Sequence, residues 1–89
     1  MPRYHFNIED GQSLRDLEGF ELESLDVAKC EAVKMAGNII CEEADAFWKS
    51  AEWSMTATDA TGLTLFTLHF MGMEAPAARA EIRPRLASD

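Results

Sequence analysis

The chain has 89 residues, 47% hydrophobic and 27% charged, and its 16 acidic side chains against 8 basic ones give a net charge of −8. That length allows one small domain, and that apolar fraction can supply its core, which excludes a chain disordered throughout. The charge argues against a nucleic-acid backbone or an anionic membrane surface as the main partner, since both repel an acidic body.

The opening MPRYHFNIEDG has no apolar leader segment and no small-residue cleavage site, and nowhere do ~18 apolar residues follow one another. Neither a secretory signal nor a membrane-spanning helix is expected. From Arg3 to Ile8 the residues alternate, with Tyr4, Phe6 and Ile8 on one side and Arg3, His5 and Asn7 on the other. This is the pattern of a half-buried strand. Glu9-Asp10-Gly11 signals a turn, and an acidic stretch from Gln12 leads past Gly19 into a second short strand around Phe20 and Leu22. The connection is too long for a tight hairpin and calls for a bulge or a wide loop.

A helix is expected from Ser24 to about Trp48, with Ser24 as N-cap and Asp26 in the first turn, where the helix dipole favours an acid. Glu52 to Asp59 alternates again, placing Trp53, Met55 and Ala57 on one face. After Asp59-Ala60-Thr61-Gly62, a second alternating run puts Phe66, Leu68 and Phe70 on one face, opposite Leu65, Thr67 and His69. The two runs read as a hairpin whose turn needs a positive φ at Gly62. From Ala75 to Asp89 the chain holds Pro76, Pro84 and three arginines and has little to bury, so residues 75–89 are expected as a mobile tail on a domain of residues 1–74. That domain carries 5 basic and 14 acidic groups, a net −9. The predicted fold is α+β in the order ββαββ: one long helix on a mostly antiparallel sheet.

The helix carries more apolar surface than one sheet can cover. Its polar groups, Glu31, Lys34, Asn38, Glu42, Asp45 and Lys49, occupy a narrow arc, leaving roughly 240° apolar where about 100° suffices. Ala28, Ala32, Met35, Ala36, Ile39 and Ala46 form the expected sheet-facing stripe, flanked by Val33, Ile40 and Phe47. Cys30, Gly37, Cys41, Ala44 and Trp48 form a second face, four of them small. A glycine inside a helix costs about 1 kcal/mol relative to alanine, and small side chains admit another backbone closely. This second face is therefore the candidate interface of a two-fold homodimer. Cover by loops or by the tail, or a different protein partner, are the alternatives. Cys30 and Cys41 lie eleven residues apart, hence about 16 Å along a helix, too far for a mutual disulfide or a shared zinc ion. Reduced thiols fit a cytoplasmic location.

Chemistry is sparsely signalled. His5 and His69 sit on strands, on the faces opposite the aromatic residues, and Glu43 alone among the helix carboxylates points toward the apolar side, within expected reach of Arg3 or His5. Glu43, His5 and His69 are the candidate polar site. There is no HExxH or CxxC spacing, and the Asp10–Gly19 stretch lacks the DxDxDG spacing of a calcium loop. No phosphate loop or nucleophile motif is present either. No catalytic residue, no metal and no cofactor is expected.

Pro2-Arg3-Tyr4, Phe6, Asp10-Gly11, Asp16, Glu18-Gly19, Glu21-Leu22 and the Ala-rich helix after Ser24-Leu25 resemble small bacterial domain-of-unknown-function proteins that open with PRYxF, DG and DxEGxEL. The hairpin after Trp53-Ser54, with Asp59 and Gly62, is similar too, so the likeness covers roughly residues 2–71. It implies a stand-alone short domain and no activity. A weaker likeness is to HicB-type antitoxins, which also set strands and an acidic, glycine-containing turn before a Ser-Leu-capped, Ala-rich helix. Ala75 to Asp89 is too short for the DNA-binding extension of such proteins, leaving at most their partner-binding half. The expected function is a non-enzymatic, dimerising protein- or ligand-binding module. The alternative is a HicB-like domain whose acidic body covers a small basic partner, and a third reading is a small enzyme using Glu43 and a histidine.

Overall fold

The computed structural model describes residues 1–80. Five strands form one antiparallel sheet: β1 (Arg3–Glu9), β2 (Ser13–Leu14), β3 (Phe20–Glu21), β4 (Glu52–Thr58) and β5 (Thr64–Met71). Between β3 and β4 run two helices, α1 (Leu25–Glu42) and α2 (Ala44–Ser50), and a short α3 (Pro76–Ala80) follows β5. The strand order is β2-β1-β4-β5, with β3 also pairing β1. β2 meets β1 at Ile8 and Glu9, and β3 meets it at Arg3 and Tyr4, so both cover β1 on the side away from β4. The architecture is α+β, as the alternation predicts. The tail expected from Ala75 onward includes α3, and residues 81–89 lie outside the described residues.

The core follows from period-two alternation on one side and an alanine stripe on the other. Phe6 pairs with Ala57, Ile8 with Met55, Trp53 with Phe70, Met55 with Leu68 and Ala57 with Phe66. Tyr4, Phe6, Trp53, Met55 and Ala57 are buried. Against them lie Ala28, Ala32 and Ala36, each with no exposed surface. Because α1 presents methyl groups, its backbone settles close to the sheet, and the volume is filled from below by Trp53, Met55 and Phe6. Trp53 meets Phe70 edge-on at 5.8 Å, a favourable aromatic geometry. Ala46, expected on this stripe, is exposed instead, because the helix does not run straight to Trp48.

The N-terminus of α1 is as predicted: Ser24 is extended, and its hydroxyl accepts from the Val27 N–H at 3.2 Å. At the other end the helix breaks at Glu43, whose φ of −118° and ψ of 41° are not helical. The Glu43 N–H still bonds the Ile39 carbonyl, and its carbonyl accepts from Phe47, so the ladder continues through a bend. α2 then ends at Ala51, in the left-handed region at φ 60°. The Ala51 carbonyl accepts from the Gly72 N–H at 2.9 Å, tying the end of α2 to the end of β5. A β-carbon on Gly72 would lie 2.7 Å from the Trp48 ring, so the glycine is what lets that indole lie against the chain.

Candidate binding surfaces

The loop between β2 and β3 is the most heavily built polar structure among the described residues. On its edge away from β4, β1 has strand partners at its two ends and none in the middle, because β2 and β3 are two residues each. Asp16 fills that gap. Its Oδ2 accepts from the Phe6 N–H at 3.1 Å, doing for β1 what a neighbouring strand would do. Its Oδ1 accepts from the Gly19 N–H at 3.0 Å, and its own N–H donates to Asn7 Oδ1 at 2.9 Å. His5 Nδ1 donates to the Asp16 carbonyl at 2.8 Å, and Arg3 reaches the Glu18 carbonyl at 2.7 Å and the Glu21 carboxylate at 3.0 Å. Gly19, at φ +73°, passes so close that a β-carbon would sit 2.8 Å from the Tyr4 carbonyl oxygen and 2.9 Å from His5 Cε1. The DxEGxEL segment is thus a clamp: the Asp16 carboxylate holds backbone N–H groups, Gly19 allows the close approach, and the Glu18 carbonyl and Glu21 carboxylate hold the Arg3 side chain.

This arrangement separates the candidate polar triad. His5 and His69 both stand on the helix-free face of the sheet, but on β1 and β5, two strands apart, opposite Thr58 and Ser54. Glu43 lies at the α1–α2 bend on the other side, beside a cavity of about 30 Å³ that Ile39, Ile40, Phe47 and Trp53 also line. That is room for one water molecule and no substrate. The expected pairing of Glu43 with Arg3 or His5 is not formed: Arg3 pairs with Glu21, and His5 is spent on Asp16. Among the described residues, no three His, Cys, Asp or Glu side chains gather as a metal site. The helix-free face carries a shallow groove of about 300 Å³ lined by Asn7, Glu9, Arg15, Ser54, Thr56 and Thr58. Asp59 is held below 3.8 first by the Thr61 hydroxyl, then by the N–H of Leu63, which it accepts across the hairpin turn.

The second helix face divides. Cys30, Gly37 and Cys41 are exposed on α1, and nothing lies within 4 Å of where a Gly37 β-carbon would be. No loop of the described residues covers them. Ala44 and Trp48 belong to α2, beyond the bend. Trp48 is 51% exposed and packs edge-on against Phe47, with its other contact at Gly72. The bend therefore moves the one large side chain of the predicted stripe toward the β5 end of the sheet. Sequence reasoning missed β5 itself as a surface. It is the outermost strand, and Leu63, Met71 and Met73 around its ends are 62%, 60% and 83% exposed.

A model of a domain of unknown function, DUF6894, matches residues 3–71. The chain belongs to this family. The matched segment begins at β1 and ends at the last residue of β5, so the DUF6894 unit is the whole sheet with α1 and α2, Asp16 clamp included. No curated protein and no solved structure matches the chain. No helix of the described residues is long and apolar enough to cross a membrane.

Proposed function

We propose that this DUF6894 chain is a non-enzymatic cytoplasmic binding module that assembles through apolar surface its own fold leaves uncovered, a second copy being the simplest partner. The observation that carries the reading is the β5 edge, which no strand of the described residues pairs, with Trp48, Leu63, Met71 and Met73 exposed around it in a chain with a small core. Exposed strand edges of this kind are ordinarily covered or charged. Two features support the absence of catalysis. The histidines and Glu43 are on opposite sides of the sheet, and the one histidine with a built environment holds a loop. The groove on the helix-free face, lined by hydroxyl, amide and charged groups together with Ile8 and Leu14, leaves room for a small ligand beside the protein contact.

A HicB-like role has the acidic body in its favour, since a net −9 over residues 1–74 steers a basic partner. Sedimentation velocity across a hundredfold range of concentration tests the main reading. The expected outcome is a species of twice 9.9 kDa that dissociates on dilution. A single species of 9.9 kDa throughout overturns self-association.

A further inference from the structure

We propose that the second copy docks by strand addition, β5 pairing antiparallel with β5 across a two-fold axis at Leu68 to make one continuous sheet. This rests on the reading that the chain self-associates, and adds the surface and the register. β5 reads TLFTLHFM: eight residues, with no charge, proline or glycine, in a chain that is 27% charged. Two bodies of charge −8 repel over most of their surface, and this strand is a place where they approach without opposing charges of like sign. A basic partner would gain more elsewhere on the molecule, so neutrality here selects a neutral strand, which every other copy supplies.

The main chain limits the register to alternate settings, and the side chains choose among them. The Gly72 N–H bonds Ala51 across the β4–β5 ladder. In an antiparallel pair the main-chain groups of alternate residues point to alternate sides. Phe70 and Leu68 therefore turn their main-chain groups inward to Trp53 and Met55, and Thr67, His69 and Met71 turn theirs to the free edge. An axis at Leu68 places Thr67 opposite the partner's His69, so outward-facing groups meet outward-facing groups and exchange hydrogen bonds. The same axis sets Phe66 opposite the partner's Phe70 on the helix-covered face, where both are half-buried in one chain. It brings exposed Leu63 to the partner's Met73, matching the two apolar ends of the edge. A register displaced by one residue would oppose inward-facing groups to outward-facing ones and lose the ladder.

Three variants test this in the full chain, read by sedimentation with circular dichroism as the check on folding. Thr67→Pro removes an outward N–H and leaves the β4 ladder intact. Thr67→Lys with His69→Lys sets lysine against lysine across the axis, and Thr67→Lys with His69→Glu sets lysine against glutamate. Both side chains are exposed, so neither pair disturbs the core. The expected result is a native spectrum throughout, with the proline and double-lysine variants dimerising about tenfold or more weakly and the lysine–glutamate variant restored. Gly37→Arg, on the helix face, is expected to leave the dimer unchanged. A dimer that survives the proline and double-lysine changes but is lost in Gly37→Arg overturns strand addition and leaves self-association standing. A wild-type monomer overturns both, as does one whose Thr67 and His69 amides are protected from hydrogen exchange, which would put another segment on the edge.

Discussion

The two edges of the sheet are treated in opposite ways. On the β1 edge two strands of two residues each, too short to template another chain, are joined by a loop whose Asp16 carboxylate takes the N–H groups of Phe6 and Gly19. Leu14, Leu17 and Phe20 are exposed there, yet the backbone beneath them is paired. On the β5 edge the strand is long and uncharged, and no other strand of the described residues pairs with its outer side. The contrast teaches that an edge rich in exposed apolar side chains can still have its main chain closed. Under the proposed strand addition, it is the coincidence of apolar side chains with main chain that the described residues leave unpaired that marks the docking edge.

The closed edge breaks most severely at Gly19. Gly19→Ala puts a methyl group against the Tyr4 carbonyl at a positive φ, with backbone on one side that does not move cheaply. The combined clash and backbone strain should cost about 2–4 kcal/mol in a denaturant melt. Asp16→Ala comes next. It leaves two backbone N–H groups without their acceptor, one of them in the middle of β1, at an expected cost of about 1–3 kcal/mol. This variant should also gain a tendency to associate through the β1 edge, visible as a larger species by sedimentation. The smallest effect belongs to the turn that leads into the open edge. Asp59 is a stronger acid in the folded chain than in the unfolded one, so its contribution is present above 3.8 and lost as pH falls below it. The difference in Tm between the protein and Asp59→Asn should be full at neutral pH and close below that value. An unchanged gap in acid would show that the carboxylate charge does not hold the turn.

Much of this molecule is legible in local pattern. The alternation of Tyr4, Phe6 and Ile8, of Trp53, Met55 and Ala57, and of Phe66, Leu68 and Phe70 names the core face of the three long strands. Ser24 marks the helix start, and Gly62 the turn, at φ +94°. That Glu43, His5 and His69 stand apart was not legible, because facing depends on which side of the sheet the helix covers and on strand order. Nor was the break at Glu43. No proline or glycine stands there, and the bend is stabilised by partners far along the chain, with Trp48 against Gly72 and Ala51 bonded to it.

The amino-acid order alone decides the long strands, the start of α1 and their apolar faces, since side-chain periodicity and capping act over a few residues. Tertiary structure alone decides that Asp16 stands in for a missing strand and that Trp48 moves to the end of β5. It also decides that β5 lies outermost. Each of these depends on hydrogen bonds and contacts between segments distant in sequence, whose geometry no local pattern carries.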